Sequence, residues 1–288
     1  MFPTSPLNVK PLLTLSTCYY NVKSKFPPTK YSEWIYNLLF IVNKFNLVIY
    51  TDKDSFDILK PIFINNPSIS NKIGIKIKII IKHMEDFFSY KYKDQWIQNH
   101  ETSGLDLHQK VEWSLVMIWC EKAHFVNETV NNKYFDTLFY GWCDIGYFRN
   151  KNTATTLQMW PNPLKLLSLK NGIHYACVEN SESKFVSLQQ DILNHYEKNT
   201  DNEPRQPTNK LLNNCFAGGF FIIRPNLIET FVQHFDAKLR YYFDNKYTIK
   251  DDQTILLDVI FTNPSLFCLH WSDDIKNDKW FMFQQLLS

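Results

Sequence analysis

Asp144 closes the most apolar stretch of the chain. Tyr134 to Cys143 is short, rich in aromatic residues and bounded by polar ones, the pattern of a central strand rather than a helix. A carboxylate is costly to bury there, but at the carboxyl edge of an α/β sheet it faces the crevice where ligands bind. Gly146 lets the backbone turn and come close to a ligand, and Arg149 adds positive charge at the same rim. An acid, a tight turn and a base at one strand end suit a phosphate bridged by a metal ion. The structural alternative is a carboxylate that caps the turn or pairs with Arg149.

The surrounding pattern sets elements in an order that can position such a site. Leu12 to Tyr20 reads as a strand, Tyr31 to Phe45 as a helix, and Asn46 to Asp52 as a second strand that also ends in an acid. Ser55 is a plausible cap for the next helix, and Ile73 to Ile81 reads as a third strand. One helix is expected from about 106 to 123, followed by the strand that leads to Asp144. This alternation is the order of a parallel α/β sheet, and right-handed crossovers would set Thr17, Asp52 and Asp144 along one edge.

In the second half, Gly172 to Glu179 and Cys215 to Arg224 read as strands, while Ser187 to Tyr196, Leu227 to Phe243 and Thr254 to Ile260 read as helices. Asn199 to Asn209, with Pro204 and Pro207, reads as a surface loop. No linker or repeat divides the chain, so the expectation is one domain over 1–288, with a nucleotide-binding half (10–149) and an acceptor-side half (150–288).

Composition narrows the function classes. The chain has 288 residues, is 44% hydrophobic and 16% aromatic, and carries a net charge of +2, so a full core is possible and a dedicated nucleic-acid binder is not expected. Lys72, Lys76, Lys78 and Lys82 alternate with Ile and read as the solvated face of a strand. The six cysteines are scattered without metal or redox spacing. They read as buried thiols in a reducing, cytoplasmic compartment, and the sequon at Asn127 then carries no sugar. No signal-type start and no apolar run of membrane-spanning length is present. There is no Gly-x-Gly-x-x-Gly fingerprint and no Gly-Lys-Ser/Thr phosphate loop, which argues against a dehydrogenase and a P-loop ATPase.

Trp142-Cys143-Asp144-Ile145-Gly146 resembles the Trp-x-Asp-x-Gly signature of the bacterial HtrL/YibB-like proteins, which are similar to glycosyltransferases of the GT-A fold. The resemblance extends to the first two strands, to Lys122 ahead of the signature, to Cys215–Arg224, and to Asp251-Asp252-Gln253, which is similar to the acid–Gln pair opening the acceptor-side helix of such enzymes. It implies a mixed, mainly parallel Rossmann-like sheet flanked by helices, and a nucleotide-sugar donor held by Mn²⁺ or Mg²⁺. It also implies transfer of the sugar to a hydroxyl on a carbohydrate or glycosylated acceptor. Asp144 is then the metal ligand. His270, with Lys279-Trp280 downstream, faintly resembles the C-terminal His and Lys-Pro-Trp region of glycogenin-type transferases and would complete that site. The usual second acid of the metal motif is missing, so either one carboxylate suffices or no metal is used.

The remaining roles follow the same resemblance. Asp252 is the catalytic carboxylate that accepts the acceptor hydroxyl's proton, or in a retaining transfer stabilises positive charge on the sugar, with Gln253 beside it. Thr17 and Tyr19 are placed near the nucleobase, Asp52 near the ribose or base, and Lys122 and Arg149 near the phosphates. Gly218-Gly219 in an apolar strand marks either close approach of a ligand or a bulge. Each has a structural alternative: Asp252 as a dipole-matched acid at a helix start, Lys122 as a partner of Glu121 or Glu128, His270 as a core or surface histidine. A non-catalytic nucleotide or sugar binder on the same scaffold, and a glycoside hydrolase using Asp144 with Asp252, are the rival readings.

Overall fold

The structure is a computed structural model describing residues 10–179, 181–198, 207, 215–272 and 278–288. In chain order its elements are β1 (Leu13–Tyr19), α1 (Pro28–Phe40), β2 (Asn46–Thr51), α2 (Lys53–Ile64), α3 (Pro67–Ser70), β3 (Ile77–Ile81), α4 (Lys93–Thr102), α5 (Asp106–Lys110), α6 (Trp113–Cys120) and α7 (Lys122–Asn131). There follow β4 (Phe139–Cys143), α8 (Lys151–Thr156), α9 (Pro163–Leu167), β5 (Ile173–Ala176), α10 (Glu182–Lys198), β6 (Phe220–Ile223), α11 (Pro225–Asp244), α12 (Asp252–Thr262), β7 (Phe267–His270) and α13 (Met282–Leu286).

The strands form one sheet in the order β3-β2-β1-β4-β6-β5-β7. Neighbours are parallel except β6, which runs against both β4 and β5. This is the mixed, mainly parallel sheet that the resemblance implies. β1, β2 and β4 are buried along their whole lengths, as strands covered on both faces must be. Successive side chains enter opposite layers. Leu13, Leu15, Phe139 and Cys143 pack with α1, α2, α8, α9 and α13. Cys18, Tyr140 and Trp142 pack with α6, α7, α11 and α12.

Two features of this topology create the crevice. The chain leaves β1 to build β2 and β3 on one side and later adds β4 on the other. The carboxyl ends of β1 and β4 therefore flank a topological switch point, where ligands of open α/β sheets bind. The reversed direction of β6 brings its leading residues, Gly218-Gly219, to that same edge, and Asp144 N donates to Gly219 O at 2.8 Å.

Several element boundaries differ from the sequence reading for physical reasons. The third strand starts at Ile77, because Lys72 turns back to donate to the carbonyls of Leu39 and Phe40 at the end of α1. The strand before Asp144 starts at Phe139. Upstream, Tyr140 Oη donates to Phe135 O and Thr137 Oγ1 to Phe139 O, so local side-chain bonds replace the ladder. The single helix expected over 106–123 is divided among α5, α6 and α7. Val111 and Glu112 are extended, and the Glu112 carboxylate accepts from Lys23 N. Asp52, not Ser55, caps α2 by accepting from Ser55 N at 2.7 Å. The expected loop at Asn199–Asn209 lies outside the described residues apart from Pro207. All six cysteines are free thiols, and among the described residues no helix is long and apolar enough to cross a membrane.

Gly141 sits where β4 and β6 approach closely. A Cβ there would lie 2.1 Å from Phe221 O, a main-chain atom of the paired strand that cannot swing aside. Gly141→Ala is expected to lower stability by at least about 1–3 kcal/mol in urea unfolding. A neutral result would mean that β4 and β6 are not paired in this register.

Candidate active site

The site is built on a kink. α6 ends and α7 begins at Glu121, whose buried carboxylate accepts from Phe88 N at 2.7 Å, Ser89 N at 3.1 Å and Ser89 Oγ at 2.6 Å. Those bonds fix the bend and leave Lys122 as the first residue of α7, directed at the end of the sheet. Lys122 is only 7% exposed. Its ammonium lies 2.8 Å from Asp252 Oδ2, 2.8 Å from Gly218 O and 3.2 Å from Asp144 Oδ1, so each of its three hydrogens has an acceptor. Burial opposes the charge, but Asp144 and Asp252 more than offset it, and Lys122 is held above its ordinary pKa.

Asp144 is oriented by its own strand. Trp142, two residues earlier and hence on the same face, donates from Nε1 to Asp144 Oδ1 at 2.6 Å. The indole also stacks on Phe125 at 5.7 Å and lies 6.0 Å from the Lys122 ammonium. Trp142 thus fixes the orientation of Asp144 as a hydrogen-bond donor. The Asp144 side chain remains 40% exposed to the cleft.

Asp252 is in the first turn of α12, where the helix dipole favours its charge. Its pKa is nonetheless pushed up to about 6: burial raises it, Lys122 opposes, and the charge of Asp251 raises it further. Gln253 follows, with a buried Oε1 that has no hydrogen-bond partner among the described residues. The Gly218-Gly219 pair has a direct reason here. A Cβ on Gly218 would meet Asp252 Oδ2 at 2.8 Å and one on Gly219 would meet Asp144 Oδ2 at 3.2 Å, so the glycines make room for the two acids themselves.

These groups face a cleft of about 950 Å³, which Tyr19, Arg149, Gly218, Gly219 and Gln253 also line. Arg149 donates from Nε to Gly146 O, and its guanidinium rests 4.6 Å from the Trp34 ring, 5.4 Å from Phe26 and 5.3 Å from Phe281. It does not pair with Asp144. Lys122 likewise does not pair with Glu128, which Lys82 engages instead.

Three expected site residues lie elsewhere. Thr17 is buried within β1 with its hydroxyl unpartnered. Asp52 is engaged as the cap of α2. His270 Nε2 is 2.9 Å from His174 Nδ1, and burial, with His174 beside it, brings its pKa down to about 4. None of the three is among the residues lining the cleft. Trp34 and Phe26 escaped the sequence reading because their partner, Arg149, is more than a hundred positions away; the period-two spacing of Trp142 and Asp144 was readable.

Among the described residues, no three His, Cys, Asp or Glu side chains converge on a metal position. Asp144 Oδ2 is the carboxylate oxygen left for a cation, since Oδ1 serves Trp142 and Lys122. One such oxygen fits an ion that keeps several waters and takes its other ligands from phosphates.

The chain is similar to several solved structures. The chain is similar to the galactosyltransferase LgtC in complex with donor and acceptor sugar analogs, at 11% identity and a TM-score of 0.47, over 89% of this chain and 72% of that one. It is similar to the LgtC active-site mutant Q189E at 12% identity and a TM-score of 0.45, with the same coverage. A third likeness is to 4-diphosphocytidyl-2C-methyl-D-erythritol synthase from Anaerococcus prevotii, at 10% identity and a TM-score of 0.35, over 96% and 97% of the two chains. No protein-family model matches the chain, and no curated protein matches it.

Removing the ammonium would leave Asp252 buried and unpaired beside Asp144. Lys122→Met is expected to cost about 3–5 kcal/mol in urea unfolding, and adding Asp252→Asn should recover part of that loss. A cost below about 1 kcal/mol would show that Lys122 is not the partner the carboxylates depend on.

Proposed function

We propose that this chain is a glycosyltransferase of GT-A type, moving a sugar from a nucleotide-diphosphate donor to a hydroxyl of a carbohydrate or glycosylated acceptor. The observation that carries the reading is the pair of acids bridged by one buried lysine at the switch-point crevice. The Trp142, Asp144 and Gly146 signature, which resembles that of the HtrL/YibB-like proteins and ends β4 at the cleft, is further support.

Each group has a role. The donor's nucleotide lies on the side of Tyr19 and the aromatic rings around Arg149, and the guanidinium offsets diphosphate charge. When bound, a divalent cation, Mn²⁺ or Mg²⁺, would neutralise charge on the departing diphosphate, and Asp144 is the residue to hold it. Asp252 accepts the proton of the acceptor hydroxyl as the new bond to the sugar forms and the bond to the diphosphate breaks. Its raised pKa suits it to take a proton near neutral pH. Lys122 keeps both carboxylates in place and limits their mutual repulsion.

The test is a panel of UDP- and GDP-linked sugars with Mn²⁺, read first by thermal shift and then by donor consumption. One donor should raise the melting temperature through mass action. With that donor, kcat/KM should fall about tenfold per pH unit as pH drops below about 6, because protonated Asp252 cannot accept the hydroxyl proton. Asp252→Asn should remove about 10²–10⁴-fold of turnover while leaving donor affinity nearly unchanged. Binding without turnover would favour a non-catalytic nucleotide-sugar binder, and no binding to any donor would end the proposal.

A further inference from the structure

The helix that carries Asp252 fixes its own start through one long bond, with Thr254 Oγ1 accepting from Lys250 N at 3.3 Å. Asp251 occupies the N-cap place of α12 in an extended conformation, and its side chain makes no capping hydrogen bond. The chain ahead of it is held from a distance by α4 and α5. Asn99 grips Ile249 twice, donating from Nδ2 to its carbonyl at 2.9 Å and accepting from its N–H at Oδ1 at 2.8 Å. His108 grips the next carbonyl, Lys250 O, from Nε2 at 3.0 Å. A carbonyl can only accept, so Nε2 carries the hydrogen and Nδ1 accepts from the Ser103 hydroxyl at 2.6 Å. His108 is 3% exposed, and burial keeps its pKa below the ordinary histidine value. Gly104, at φ +63°, makes the turn that brings Ser103 and α5 together.

We infer that Asn99 and His108 are positioning residues that lock the Ile249–Lys250 backbone and thereby hold Asp252 against Lys122. The inference rests on the reading of Asp252 as the proton acceptor for transfer. There is little slack at its far end. Asp252 Oδ2 is 2.8 Å from the Lys122 ammonium, and the missing Cβ of Gly218 is what leaves room for it. A misplacement of about 1 Å at a reacting group can cost on the order of 10²-fold in rate. The clamp is neutral, so it fixes the carboxylate without adding charge to it. The charged and titratable groups in Asp252's field are Lys122, Asp144, Asp251, Lys25, Cys120 and Tyr175, and neither Asn99 nor His108 is among them.

The test compares Asn99→Leu, His108→Phe and His108→Gln with the unaltered chain; the Gln amide restores a donor for Lys250 O. The first readout is the ¹³C NMR titration of the Asp252 carboxyl, which needs no substrate. Loosening the clamp changes both the burial that raises the Asp252 pKa and the Lys122 contact that lowers it, so its midpoint should move away from about 6 in Asn99→Leu and His108→Phe, and return in His108→Gln. The second readout is donor turnover, where kcat should fall about 10²-fold with donor KM unchanged. Should the larger substitutions fail to fold, Ser103→Ala, which only frees the His108 ring, should also move the midpoint away from about 6. Folded variants that keep the original midpoint would overturn the inference. If the unaltered chain binds no donor, the transferase reading fails separately, and the titration still decides whether the clamp sets the carboxylate.

Discussion

A buried ammonium group must have its hydrogens accepted and its charge balanced, and much of this structure follows from meeting that demand at Lys122. Three acceptors do so, and each comes from a different part of the chain: Asp144 after β4, Gly218 before β6 and Asp252 on α12. Desolvating one cation against two carboxylates is favourable only with good geometry. That requirement accounts for the Glu121 kink that aims Lys122, for the Trp142 donor that fixes Asp144, and for the two glycines that let the acids approach. The same arrangement leaves an asymmetry useful for chemistry. Asp144 stays open to the cleft, while Asp252 is shielded and its pKa raised. Two carboxylates in different environments can hold different roles.

The sheet supplies the place for this cluster. A parallel run of β3, β2, β1 and β4 gathers strand carboxyl ends on one edge, and the antiparallel β6 adds its leading residues to that edge. Without the reversal of β6, Gly218 would lie at the opposite end of the sheet from Asp144 and the lysine would lose an acceptor. The chain's two halves therefore meet at the lysine, with Asp252 supplied from 130 positions beyond it.

What was legible in the sequence was local. Asp144 announced itself because an acid, a glycine and an arginine follow one apolar run, and the alternation of strands and helices up to β4 follows the burial pattern. The Asp252-Gln253 pair stands out through its likeness to the acid–Gln pair that opens the acceptor-side helix of similar enzymes, and it does open a helix here. The bridge by Lys122 was not legible, since no spacing in the sequence couples residues so far apart. Asp52 and His270 show the converse. A polar group at a strand end looks like a site residue, yet whether it faces a cleft or caps its own helix depends on neighbours the sequence does not name. The helix expected over 106–123 is broken twice where apolar periodicity continues: at Glu112, whose carboxylate accepts from Lys23, and at Glu121, whose carboxylate accepts from residues 88 and 89.

The most direct measurement is a crystal structure of the chain grown with a nucleoside-diphosphate sugar and Mn²⁺. The expected result has the diphosphate between Asp144 and Arg149 and the sugar facing Asp252, with Lys122 still bridging the two acids. A nucleotide bound at any other place on the chain, or an Asp144 carboxylate turned away from it, would contradict the central claim.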